Sequence, residues 1–191
     1  MRIITGKARG TTLKTLPGTD TRPTTEICKE GVFSAIQFEL HGRNVLDLFG
    51  GSGQMALEAL SRGAERATVV DNSRAACEII RANAVKTKLM EQCRVVCSDW
   101  KDFVKTASGK EKFDLVFLDP PYNDGVLEGV LKKLKALDLL APGAIIVAES
   151  AQTGVPVPDD SWSARVYRYG KTFVMIMRLP EQAAAGQTAA G

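Results

Sequence analysis

Histidine is almost missing from this chain of 191 residues, where His41 stands alone. One imidazole makes neither a His-rich metal centre nor a Ser-His-Asp triad. His41 sits beside Gly42 in turn-like sequence and is given no role, and no metal site is expected. Cysteine is scarce too. Cys28, Cys77, Cys93 and Cys97 form no Cys-x-x-Cys pair and read as buried free thiols. Cys93 and Cys97, four apart in a run of strand character, should share a face. No apolar run approaches the roughly 20 residues of a membrane-spanning helix. Residues Met1–Lys7 lack the apolar stretch of a secretory signal, so a cytoplasmic location is expected. With 45% hydrophobic and 25% charged residues, the composition excludes a disordered chain, a collagen-like fibre and a coiled coil. The length suits one domain, large enough for a sizeable core.

Acidic residues are nearly absent from both ends. The formal net charge is +3. Residues 1–25 hold Arg2, Lys7, Arg9, Lys14 and Arg22 against Asp20 alone. Residues 163–178 hold Arg165, Arg168, Lys171 and Arg178 with no acid. The stretch between carries more acids than bases. Basic ends around a mildly acidic middle suit a polyanion met by the chain ends.

What is present is an alternation of short apolar runs and helical patterns. Asn44–Leu48 reads as a strand, followed by a glycine-rich turn at Phe49–Gly53 and a helix over Gln54–Arg62 that Gly63 stops. Arg66–Asp71, Arg94–Cys97, Phe113–Leu118 and Ala144–Glu149 read as further strands, with helices over Ser73–Lys88 and Gly125–Leu137. Phe113–Leu118 is apolar throughout, as a strand buried on both faces should be. This spacing predicts an α/β fold with a doubly wound, mostly parallel sheet. Ser163–Tyr169 and Thr172–Met177 read as a C-terminal antiparallel hairpin joined through Gly170-Lys171. Residues 1–25 read as a small basic N-terminal extension with short strand-like pieces, and Glu26–Leu40 as a helix weakened by Gly31. The main domain is then 26–180, and residues 181–191, without apolar periodicity, are expected to be disordered.

Three groups of residues carry chemistry. Gly51-x-Gly53-x-x-Ala56 matches the dinucleotide fingerprint, but Asp47 before it would repel a pyrophosphate and suits a cationic or amino-bearing ligand. S-adenosylmethionine has both a sulfonium and an ammonium. Asp71, with Asn72 beside it, ends the next strand and can accept two ribose hydroxyls. Asp99 can accept from an adenine amino group with Trp100 as an apolar wall, and N-capping the next helix is nearly as good a reading. Asp119-Pro120-Pro121-Tyr122 follows the buried strand Phe113–Leu118. Its prolines end the strand and stiffen the corner. The Asp119 carboxylate and the Pro120 carbonyl become fixed acceptors where open α/β sheets bind ligands. Such a pair fits the amino group of a nucleobase, and Tyr122 can stack on the base.

With these motifs in place, the sequence resembles the amino-directed nucleic-acid methyltransferases, and more narrowly the RsmD-like bacterial 16S rRNA (guanine-N2)-methyltransferases. The likeness runs to about residue 179. It includes Arg2-Ile3-Ile4-x-Gly6-x-x-Arg9-Gly10, Arg22-Pro23-Thr24-Thr25-Glu26, Glu30, Phe33, Leu57–Gly63 and Tyr169-Gly170-x-Thr172. The resemblance implies a Rossmann-like class I fold with a seven-stranded sheet and S-adenosylmethionine as cofactor. It implies cofactor contacts at Asp47, Phe49, Gly51, Gly53, Asp71, Asn72, Asp99 and Trp100, and catalytic positioning by Asp119, Pro120, Pro121 and Tyr122. Lys7, Arg9, Lys14, Arg22 and Thr24 would contact RNA, the partner being 16S ribosomal RNA or an assembling small subunit. Gly51 departs from a usual alanine, Ile27-Cys28-Lys29 from a more basic run, and Ser34 from asparagine. The expected activity is methylation of a guanine N2. An adenine-N6 methyltransferase is the alternative reading, and a nicotinamide-dependent dehydrogenase a more distant one.

Overall fold

The computed structural model describes residues 1–16, 23–120, 124–150 and 160–181, with the backbone alone at 23–25 and 124. Helix α1 (Pro23–Ala35) leads into strand β1 (Asn44–Asp47), helix α2 (Gln54–Ser61), strand β2 (Arg66–Asp71) and helix α3 (Arg74–Lys86). Strand β3 (Cys93–Cys97), helix α4 (Trp100–Ala107), strand β4 (Phe113–Leu118) and helix α5 (Asp124–Ala136) follow. Strands β5 (Leu140–Ser150), β6 (Ser163–Tyr169) and β7 (Thr172–Arg178) complete the sheet. Its seven strands are ordered β3-β2-β1-β4-β5-β7-β6. The first five are parallel, and β7 runs antiparallel between β5 and β6.

Alternation along each inner strand explains the two cores. Val45, Val69, Leu115, Ile145 and Ile176 face α1, α2 and α3. Leu46, Val70, Val116, Ile146 and Met177 face α4 and α5. Successive side chains point to opposite faces, and both faces are covered, so these strands are apolar throughout. The sheet reversal lies between β1 and β4, which pair directly. Their carboxyl ends therefore splay toward different loops and open a crevice.

Some boundaries differ from the sequence reading. Helix α1 starts at Pro23, not Glu26, since proline is well suited to the first helical position. It stops at Ala35, and a short 3-10 turn at Gln37–Glu39 takes the place of its last residues. Strand β5 begins at Leu140 rather than Ala144, and its pairing shifts register near Phe113, where Pro142 and Gly143 interrupt the apolar pattern. Helix α4 was expected only as the helix that Asp99 would cap, without bounds; it spans Trp100–Ala107, and Phe103, Val104 and Ala107 form its buried side. Cys97 is exposed, unlike Cys28, Cys77 and Cys93. Strand β3 is a sheet edge, packed at Cys93 and open at its last residue, so sharing a face did not bring shared burial.

The N-terminal extension is fastened to the main domain rather than hung from it. An antiparallel bridge joins Arg2 and Thr12, and Ile3, Ala8 and Leu13 enter the core. Glu58 of α2, fully buried, accepts from the Ile4 and Thr5 backbone N–H groups at 2.8 and 3.0 Å. The same carboxylate meets Arg62 at 2.8 Å and buried Lys29 at 3.4 Å. Gly6 has φ +85°, and a Cβ there would fall 1.8 Å from the Ser61 carbonyl oxygen. That close approach allows the Lys7 N–H to donate to Ser61 at 2.9 Å.

Candidate active site

The turn after β1 is built by backbone geometry that glycine alone accepts easily. Gly51 has φ +54° and Gly53 φ +76°, the left-handed region that penalises a Cβ. The Gly50 N–H donates to Val70 at 2.8 Å, and the Gly51 N–H to the Asp71 carboxylate at 2.9 Å. The other Asp71 oxygen accepts from Ser73 N–H at 2.8 Å. A carboxylate offers about four acceptor positions, so two remain for a ligand. A Cβ on Gly51 would meet open space, so the wall beside Asp71 leaves room for one.

These residues border a cleft of about 640 Å³ at the carboxyl edge of the sheet, within the usual range for small-molecule sites. Phe49, Gly51, Asp71, Asn72, Asp99 and Trp100 line it, and so do Asp119 and Pro120. Asp47 and Gly53 are not on that wall. Asp47 is buried and takes hydrogen bonds from the Phe49 and Ala56 backbone, so it holds the turn from below. Asp99 caps α4 by accepting from Lys101 N–H at 2.8 Å and still faces the cleft, which accommodates both roles considered for it. A wider groove of about 920 Å³ runs beside β3, past Arg66, Arg94 and Lys110. It contains none of the acids at the strand ends.

The acids at the strand ends disturb one another. Burial pushes the Asp47 carboxyl up to about 7, with the Asp119 charge adding to it. Burial likewise raises Asp119. Its side chain is open to the cleft, but the walls around it exclude enough water to disfavour the charge. Glu149, at the end of β5, is raised to about 7 by burial and then by Asp119. This residue was not among the sequence candidates; an acid closing the apolar run Ala144–Glu149 was the available signal. A floor of mutually destabilised carboxylates favours a cationic ligand, and a sulfonium bearing an amino acid group meets that requirement.

Other expected residues fall elsewhere. Lys7, Arg9 and Lys14 are exposed on the extension. The Lys7 ammonium donates to Gln92. The Lys14 backbone is clasped by Asn83, whose amide also donates to Ser52 in the glycine-rich turn. Thr24 lies in the first turn of α1, its side chain outside the described residues. Arg22, Pro121 and Tyr122 lie outside them altogether. In the hairpin, Arg178 is paired with Glu39 at 2.6 Å, so its charge is answered internally.

The family model described as Conserved hypothetical protein 95 matches residues 1–178. YlbH of Bacillus subtilis is 36% identical over 182 residues, covering 93% of this chain and 98% of the relative. Ribosomal RNA small subunit methyltransferase D of Escherichia coli K12 is 33% identical, with 98% of this chain and 93% of the relative covered. The solved structure of yhhF from Escherichia coli shares 31% identity and a TM-score of 0.84, over 95% of this chain and 99% of that one. An O-methyltransferase of Bacillus cereus, solved with SAH, shares the fold at 19% identity, with a TM-score of 0.65 over 85% and 84% of the two chains. The fold is thus that of the class I S-adenosylmethionine-dependent methyltransferases, and the chain belongs to the Conserved hypothetical protein 95 family, the RsmD family whose motifs it carries.

Proposed function

We propose that this protein transfers a methyl group from S-adenosylmethionine to the N2 amino group of a guanine in 16S ribosomal RNA, in the cytoplasm. The observation that carries this reading is that Asp119 and Pro120 share one cleft with Asp71, Asn72 and Asp99. The names of the relatives support an RNA substrate in the small ribosomal subunit. When bound, the cofactor supplies an activated methyl group on a cationic sulfur.

The chain's own contribution is placement. Asp71, held by two backbone donors, accepts the ribose hydroxyls. Asp99 accepts the adenine amino group, and Trp100 flanks the ring. The Asp119 carboxylate and the Pro120 carbonyl accept the two N–H bonds of the target amino group. That nitrogen is a poor nucleophile because its lone pair is delocalised into the ring. Two fixed acceptors orient it and favour a pyramidal nitrogen, and orientation is a large term in a two-substrate transfer. The methylated nitrogen loses its proton readily, so Asp119 can receive it without being a strong base. Tyr122 stacks on the extruded base, which costs least where the nucleotide is already unpaired.

The test is Asp119→Ala in a protein that folds and still binds cofactor by calorimetry. Its turnover should fall at least about a hundredfold, and wild-type turnover would remove the mechanism. Mass spectrometry of the RNA nucleosides should find N2-methylguanosine. N6-methyladenosine would select the alternative target.

A further inference from the structure

A second, smaller cavity of about 140 Å³ lies behind the first, and Asp119 lines both. The larger cleft runs from Asp119 toward Asp71 and Asp99. The smaller runs the other way, toward Glu149. Its walls include Val32, Phe117, Val147 and Val174, apolar surfaces that suit a flat ring. Its size is that of a single base rather than a nucleotide. Asp119 thus stands on the boundary between a cofactor-sized space and a base-sized one.

Strand pairing sets two carboxyls side by side there. β4 and β5 are parallel with Leu118 opposite Ala148, so the residue after each of these is an acid, Asp119 just past β4 and Glu149 within β5. Among the described residues, the neighbours do not neutralise the pair. The Lys29 ammonium is engaged by Glu58 and the Arg2 carbonyl. Cys28 is held as a neutral thiol, its pKa pushed up to about 12 by burial and by the two acids. Among the described residues, burial and then the Asp119 charge raise the Glu149 carboxyl, and none donates a hydrogen bond to it.

A ligand that relieves this arrangement brings two adjacent donors. Guanine does so: its N1–H and its N2 amino group lie next to each other on one edge. Adenine presents an acceptor at N1 beside its amino group, which would face a carboxylate unfavourably. We propose that Glu149 is the specificity-determining residue of this site, its carboxylate accepting the N1–H of the target guanine while Asp119 and Pro120 hold the N2 amino group. This rests on the reading of the site as a guanine-N2 methyltransferase and names how the base is selected. A site that bonds a buried N–H rejects an analogue lacking it, because its acceptor is left unpaired.

The experiment uses small-subunit RNA assembled by ligation with either guanine or 2-aminopurine at the nucleotide the wild-type protein methylates. 2-Aminopurine keeps the amino group and lacks N1–H. The wild-type protein should prefer guanine by about ten- to a hundredfold in kcat/KM. In Glu149→Ala that preference should collapse toward unity, mainly through loss of activity on guanine. Glu149→Gln, of the same shape, should fall between the two, because its carbonyl still accepts but without charge. Cofactor binding by calorimetry reports the fold of each variant. An unchanged preference in both folded variants overturns the assignment of Glu149 while N2-methylguanosine remains the product. A wild-type product other than N2-methylguanosine overturns the guanine reading, and this inference with it.

Discussion

Asp47 and Glu149 are carboxyls that resist ionising in the folded chain, each raised to about 7 from ordinary values near 4. Both shifts come first from burial and then from the Asp119 charge. Between those values the folded chain keeps protons that the unfolded chain has released. The stability they contribute is present at low pH and lost as pH rises through about 7. A cation in the cleft reverses the preference, since it favours the ionised acids. Binding S-adenosylmethionine should therefore release protons near pH 7, and affinity should increase between pH 6 and 7.5, by up to about tenfold per unit for each linked group. Calorimetry in buffers of different ionisation enthalpy measures both effects. Asp47→Asn should reduce the proton release, and a pH-independent affinity in the wild-type protein would refute the electrostatic account of the cleft. At this scale the sequence was informative about Asp71 and Asp119, which close apolar strands, and about Asp99, which caps the helix after β3. Glu149 also closes an apolar run, but its significance depends on standing beside Asp119, and strand register is not written in either segment alone.

At the scale of elements, strands β1, β2 and β4 were legible to within a residue because their apolar runs are continuous and bounded by polar residues. Helix α4 was harder: only eight residues long, it carries a short apolar stripe of Trp100, Phe103, Val104 and Ala107. Gly31 shows a different limit. From sequence it weakens α1, as glycine does in any helix interior. In the structure a Cβ at Gly31 would lie 2.1 Å from the Tyr169 hydroxyl and 2.4 Å from its ring. The missing side chain is a notch that lets the end of β6 pack against α1. The two effects have opposite signs. Alanine would gain about 1 kcal/mol of helix propensity, whereas crowding a packed site costs about 1–3 kcal/mol. Gly31→Ala should thus destabilise the wild-type protein and stabilise a Tyr169→Ala background. Urea denaturation of the two single variants and the double variant gives the coupling, and additivity would show that the notch has no packing role.

For the molecule as a whole, charge and rigidity belong together. The spread of charge along the sequence suggested a polyanion, but it does not say whether the basic residues are loose or held. Arg178 is taken up by Glu39, and the Arg168 guanidinium lies over the Phe173 ring and donates to Gly170. The Arg178 charge is thus withdrawn from the cationic surface that the hairpin's sequence implied, while Arg165, Arg168 and Lys171 stay exposed. The extension is the reverse case. Its backbone is tied to α2 through Glu58 and Ser61, and to α3 through Asn83, while Lys7, Arg9 and Lys14 remain exposed. Phosphate contacts made from such a frame lose little entropy in ordering the chain. Each contact to single-stranded RNA steepens the fall of log affinity with log salt by about 0.7. Replacing Lys7, Arg9 and Lys14 by alanine leaves every backbone bond of the extension available. The slope should then flatten by up to about 2 between 50 and 200 mM salt, with cofactor affinity unchanged. Filter binding across that range measures it, and an unaltered slope would place the RNA on another face of the protein.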